Sequence, residues 1–252
     1  MIFSKKKKKA QADVWNIRTM FGPNLNFAAT EAYKLLRTNL MFSFSDEGRG
    51  HVIGVTSSVQ GEGKSSTACN IAYVLAEAGA KVLLLEADLR RPTVASKLGL
   101  SRTPGLSNLL ISKGGFRDVI QHCAIAPIAD VITSGDIAPN PSELLGSARM
   151  ERLLAELKQE YDYIVVDLPP VTVVSDTLAI SKLLDGVVVV VCAGISEQKM
   201  LSEAMRQLNM VDVRILGFVY RELDDRKKHY GYRYSKKYYK YYDEYAKKPS
   251  QK

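Results

Sequence analysis

An apolar run ends at Thr56 and is followed by Ser57-Ser58-Val59-Gln60-Gly61-Glu62-Gly63-Lys64-Ser65-Ser66, with helical spacing beginning at Lys64. Small residues in such a turn let backbone N–H groups surround a phosphate, and the helix that follows adds its positive end. Lys64 is then placed to reach the outer phosphates of a nucleotide, and the Ser65 hydroxyl to bind Mg²⁺. Ser58, Gln60, Gly61, Glu62, Gly63 and Ser66 complete the phosphate-binding loop, with Ser58 in place of the pattern's leading glycine. A glycine-rich turn with an exposed lysine is the plainer reading. It does not account for a strand before and a helix after.

Carboxylates recur after two further apolar runs. Glu86 and Asp88 follow Leu83-Leu84-Leu85, with Arg90 two residues on, and Asp167 follows Ile164-Val165-Val166. A lone aspartate after a strand is more often a turn or a helix cap. Acids at the ends of adjacent parallel strands, beside a phosphate loop, are where a hydrated Mg²⁺ and an attacking oxygen must be held.

The elements that must position these residues alternate along the chain. Segments 52–56, 81–86, 163–167, 187–191 and 213–218 read as strands rich in Val, Ile and Leu. Continuous apolar runs of this kind are expected where both sheet faces are covered. Segments 28–42, 64–77, 147–160, 176–184 and 196–210 carry helical spacing of their apolar residues. The pattern predicts an α/β fold, a doubly wound, mostly parallel sheet between two helix layers, with its crevice at the carboxyl ends of the strands.

Composition agrees and removes other classes. With 46% hydrophobic and 25% charged residues among 252, collagen, coiled coil and wholesale disorder are out. The longest apolar stretch, 186–195, is about half of a membrane-spanning helix, and no secretory leader pattern opens the chain. Cys69, Cys123 and Cys192 show no metal or disulfide spacing. A cytoplasmic protein is expected.

The net charge of +8 is concentrated at the ends. Residues 1–9 hold five lysines and no acid, residues 226–252 hold ten Lys or Arg against two acids, and the body between has 20 basic against 25 acidic residues. Eight of the thirteen tyrosines, Tyr230, Tyr232, Tyr234, Tyr238, Tyr239, Tyr241, Tyr242 and Tyr245, fall in the last 23 residues. That segment has no Leu, Ile, Val or Phe, so packing cannot offset its ordering entropy. The expected organisation is a basic, mobile segment 1–26, a phosphate-loop domain 27–225 and a disordered basic, tyrosine-rich tail 226–252.

Together these motifs resemble the bacterial tyrosine kinases of capsule and exopolysaccharide synthesis. The matching stretches are the Walker A loop at 58–65, the Walker A′ motif at 83–90 and the Walker B motif at 164–170. Residues 31–39, 139–145 and the tyrosine cluster also resemble the family. Glu86 departs from it, standing where the first Walker A′ aspartate is expected. So do Gln60, in place of a frequent proline, and Lys34, in place of the first arginine of a motif that includes Glu31 and Arg37.

The resemblance implies ATP and Mg²⁺ as cofactors and autophosphorylation of the tail tyrosines. Lys64, Asp88, Glu86 and Asp167 would be catalytic: Asp88 orienting or deprotonating the phenol, Glu86 supporting it, and Ser65, Asp88 and Asp167 holding the metal. Arg90 would steady the phosphate or the acidic loop. Glu31, Lys34 and Arg37 would form the interface of a ring-like homo-oligomer. The implied partners are a separate membrane-embedded polysaccharide co-polymerase with a cytoplasmic segment, which would hold the kinase at the inner face of the membrane, and a tyrosine phosphatase.

Other readings stay open. A partitioning ATPase of the same fold would carry a lysine where Val59 stands. An inactive nucleotide-gated scaffold has Glu86 in its favour. Interleaved Tyr, Arg and Lys can also stack on single-stranded nucleic acid, although this is the weaker account of the tail.

Overall fold

The computed structural model describes residues 22–44, 50–112, 114–123 and 129–222. The N-terminal lysine run and the tyrosine-rich segment 226–252 lie outside the described residues.

The apolar runs become strands of one seven-stranded sheet: β1 (His51–Ser57), β2 (Val82–Glu86), β3 (Gln121–His122), β4 (Asp130–Ile132), β5 (Tyr163–Asp167), β6 (Gly186–Cys192) and β7 (Ile215–Arg221). Their order is β3-β4-β2-β5-β1-β6-β7, and every pairing is parallel except that of β3 with β4. β1 therefore lies inside the sheet between β5 and β6, and the loop leaving it opens where the connections diverge to either side.

The helices are α1 (Phe27–Ser43), α2 (Lys64–Glu77), α3 (Val94–Leu98), α4 (Leu106–Ile111), α5 (Pro141–Leu145), α6 (Ala148–Leu157), α7 (Asp176–Ile180) and α8 (Gln198–Met210). Alternate strand residues face two separate cores. Leu83, Leu85, Ile164 and Val166 pack with α4 to α8, whereas Val82, Leu84 and Val165 pack with α1, α2 and α3. Both faces of β2 and β5 are thus apolar, which is why their sequences read as unbroken hydrophobic runs. The expected three-layer α/β architecture is the observed one.

Boundaries differ where local chemistry overrides periodicity. Asn26 caps α1 by accepting from the Ala29 N–H, and Ser147 caps α6 by accepting from the Met150 N–H. The helix expected at 176–184 stops at Ile180 and tightens into a 3₁₀ turn over Ser181–Leu183. β7 starts two residues later than expected, at Ile215, shifts register after that first pair, between Val187 and Val188 of β6, and runs on to Arg221. As an edge strand it exposes Phe218 and Tyr220, so no continuous apolar run marks its end. The turn Gly22–Asn24 packs on the body, with the Gly22 N–H donating to Asn70 Oδ1, so packed structure begins ahead of residue 27.

Burial sets the expected consequence of substitution. Leu85 is fully buried and Leu35 is 61% exposed. Leu85→Ala is expected to cost about 2–5 kcal/mol in urea unfolding, and Leu35→Ala less than about 0.5 kcal/mol.

Candidate active site

The loop after β1 is shaped from within. Gly61 and Gly63 take positive φ values of 86° and 88°, which side chains rarely adopt. Glu62 is fully buried. Its carboxylate accepts from the Ser58 hydroxyl and the Val59 N–H, each at 2.8 Å, and from the Ser196 hydroxyl. The Glu62 side chain is thus turned into the loop, where these donors occupy it. Gln60 accepts from Arg91 Nη1 at 3.0 Å, and Ser66 lies half-buried on the first turn of α2.

The Walker B segment is stitched to this loop. Thr172 donates to the Ser58 carbonyl at 2.6 Å, the Val171 N–H donates to the Ser57 carbonyl, and the Thr56 and Thr177 hydroxyls share the Pro169 carbonyl. Strand register does the rest. Glu86 pairs with Asp167 across β2 and β5, and Asp167 pairs with Val55 across β5 and β1.

Lys64 is where these elements converge. Its Nζ lies 2.6 Å from Asp88 Oδ2, 3.5 Å from Asp167 Oδ1 and 3.4 Å from Ser65 Oγ. Burial alone would lower its pKa, but Asp167 and Asp88 outweigh burial and hold the ammonium above the ordinary lysine value. Burial raises the Asp167 carboxyl above the aspartate range, Lys64 and the Ser65 hydroxyl opposing the rise. Asp167 Oδ2 is buried with no hydrogen-bond partner. An unpaired buried carboxylate oxygen is costly, and a cation is the group that suits it. The residues present therefore fit MgATP: the loop amides and Lys64 for phosphate, Ser65 and Asp167 for metal.

Two expected site residues are engaged elsewhere. Glu86 is fully buried, and its oxygens accept from the Val94 N–H at 2.5 Å and the Ser134 N–H at 3.0 Å. It ties β2 to α3 and to the segment after β4 and, unlike the expected support of Asp88 or the metal, makes no hydrogen bond to Lys64 or Asp88. Burial raises its pKa, and the two amides oppose that rise. The extra methylene relative to aspartate lies in this tie. Arg90 forms a fork on Asp176, with Nε and Nη2 at 2.8 and 3.0 Å from its oxygens, instead of reaching the phosphate loop.

In the expected oligomer motif, Lys34 pairs with Glu31 at 2.9 Å, while Arg37 donates to the Val74 carbonyl at 2.9 Å and faces Glu77. Arg37 thus also ties α1 to α2 within the chain.

Sequence reasoning gave no role to Ser196, Arg221 or Asp176. A β-carbon on Gly63 would lie 1.2 Å from Arg221 Nη1, so that guanidinium covers the loop immediately before Lys64. Nothing in the sequence near Arg221 marks it. Its place follows only from the pairing of β7 with β6.

A family model described as an AAA domain matches residues 50–214. The tyrosine-protein kinase YwqD of Bacillus subtilis is 38% identical over 190 residues, 75% of this chain and 79% of YwqD. The chain belongs to the bacterial tyrosine kinase family. EpsB of Ralstonia nicotianae is 35% identical over 222 residues, which are 87% of this chain and 29% of EpsB. Among solved structures, the kinase domain of Escherichia coli tyrosine kinase ETK superposes with a TM-score of 0.74 at 34% identity, covering 82% of this chain and 80% of that one. The P-loop NTPase fold and the Walker motifs read from the sequence accord with this membership. No helix among the described residues is long and apolar enough to cross a membrane.

The tie formed by Glu86 is directly testable. Glu86→Gln turns an NH₂ group toward a backbone N–H that now has an acceptor. The expected loss is about 1–3 kcal/mol in urea unfolding.

Proposed function

We propose that this protein is an ATP-dependent tyrosine kinase that phosphorylates its own C-terminal tyrosine cluster between subunits, and thereby regulates capsular or exopolysaccharide polymerisation and export. The observation that carries the reading is the Lys64 ammonium held 2.6 Å from Asp88 at the carboxyl end of the sheet. Phosphoryl transfer asks a protein mainly for positioning and charge neutralisation. The loop amides and Lys64 are placed to take the β and γ phosphates. Mg²⁺ held by Ser65 and Asp167, with Asp88 adjoining, would neutralise charge on the phosphates.

As Lys64 turns to phosphate, Asp88 Oδ2 loses its cation and becomes free to accept a proton. The tyrosine oxygen then forms its bond to the γ phosphorus while the bond to the bridging β–γ oxygen breaks. ADP leaves, and the phenolic proton passes to Asp88. A phenol of pKa near 10 gives up its proton late in a loose transition state, so a carboxylate suffices.

A flexible chain of about 27 residues would span on the order of 30 Å, enough for the tail to reach a neighbouring subunit. Glu31, Lys34 and Arg37 on α1 would contribute to the contact between neighbours. Each phosphate adds about −1.5 to −2, so about four or five would cancel the tail's charge of +8 and further ones would reverse it, repelling the tail from the acidic body. Ring dissociation would follow. A tyrosine phosphatase would reset the cycle, and a membrane-embedded activator with a cytoplasmic segment would hold the kinase at the inner face of the membrane.

Intact-mass measurement after incubation with MgATP tests the reading. Stepwise gains of one phosphate each, mapping to tyrosines of the tail and lost in Lys64→Met, are expected. Unmodified protein at saturating nucleotide and activator peptide would contradict it. In light scattering, the assembled mass is expected to fall as phosphates accumulate, and an unchanged mass would contradict the dissociation step.

A further inference from the structure

Residues 139–145 take no part in the chemistry above, yet one of them touches the machinery from behind. Ser142, in α5, donates to Asp176 Oδ1 at 2.5 Å, and its hydroxyl lies 3.1 Å from that of Ser175. Asp176 opens α7 and is fully buried. A buried carboxylate is tolerated when a cation and further hydrogen bonds satisfy it. Here the cation is Arg90, whose planar fork takes both oxygens and so fixes direction as well as distance.

Arg90 is two residues from Asp88, and its neighbour Arg91 reaches the other way. Arg91 Nη1 donates to Gln60 in the phosphate loop, and the Arg91 N–H donates to Asp88 Oδ1 at 3.0 Å. The turn 88–91 is therefore braced on one side by the α5–α7 layer and on the other by the phosphate loop, with Asp88 between the braces. Asp88 has one oxygen on the Arg91 amide and the other on Lys64. The amide contact keeps the carboxylate oriented once Lys64 departs, and it holds only while the turn keeps its shape.

We propose that Asp176, aligned by Ser142 and acting through Arg90, is a positioning residue that holds the 88–91 turn so that Asp88 faces the transferring phosphate. The catalytic consequence rests on the kinase reading; the bracing itself does not. The strut predicts a split between rate and binding. Nucleotide affinity resides in the loop after β1, which is shaped from within by Glu62 and which the strut meets only through the Arg91–Gln60 contact, whereas the rate depends on Asp88.

The test compares Ser142→Ala and Asp176→Asn with the unsubstituted chain, using amide hydrogen exchange, ATP affinity by titration calorimetry and the rate of tyrosine phosphorylation. In Ser142→Ala, exchange at the Arg91 amide is expected to rise about tenfold, while the Val59 amide, held by Glu62, changes less than about twofold. Phosphorylation is expected to slow about tenfold with ATP affinity within about twofold, and more severely in Asp176→Asn. Unchanged exchange at Arg91 would overturn the proposal. So would equal acceleration at Val59, or a loss of nucleotide affinity in proportion to the rate. If Asp176→Asn fails to fold, Ser142→Ala, which removes no charge, still decides. If the unsubstituted chain forms no phosphotyrosine, the kinase reading fails and the exchange comparison alone judges the strut.

Discussion

One ammonium shared between two buried aspartates governs the architecture. Lys64, Asp88 and Asp167 come from three different segments, and none would be buried at acceptable cost without the others. Their meeting requires β1, β5 and β2 to lie side by side in parallel, because only then do the loop after β1 and the ends of β5 and β2 open at the same edge. The apolar layers on both faces can be seen as the means of holding that edge in register. After their first residues, β1, β2 and β5 carry no polar side chain until Thr56, Glu86 and Asp167 at that edge.

Around the ion cluster, each mobile-looking segment is anchored by a specific acceptor. Glu62 fills the phosphate loop from inside, the Pro169 carbonyl gathers two threonine hydroxyls, and Glu86 draws α3 and the segment after β4 to the end of β2. Adjacent arginines, Arg90 and Arg91, pull the Walker A′ turn in opposite directions. These contacts leave Asp88 and Lys64 as the pair whose partners can be exchanged when phosphate arrives. Rigid surroundings with one exchangeable ion pair are what positioning-dominated catalysis requires.

Much of this was legible in the sequence because it rests on periodicity and on motifs with fixed spacing. The phosphate loop, the acids after β2 and β5 and the helix over Lys64–Glu77 follow directly from strand-turn-helix patterning. β3, β4 and α3 to α5 were not legible, since they are short and lack the unbroken run of Val, Ile and Leu that marks the equally short β2 and β5. The side-chain partners of Glu86, Glu62 and Arg90 were not legible for a different reason. Spacing brings a residue to the site but does not say whether its side chain turns toward the ligand or is taken by a neighbouring amide or carboxylate. Arg221 and Asp176 come from elements distant in sequence, so only the assembled sheet brings them near the loop and the turn.

Asp88, released from Lys64 by nucleotide, is the group proposed to receive the tyrosine proton. Asp88→Asn tests it most directly, with bound ATP measured by calorimetry and phosphotyrosine by intact mass on the same preparation. The variant is expected to bind MgATP and to form tail phosphotyrosine at least about a hundredfold more slowly. Phosphorylation at a rate near that of the unsubstituted chain, with nucleotide bound, would contradict it.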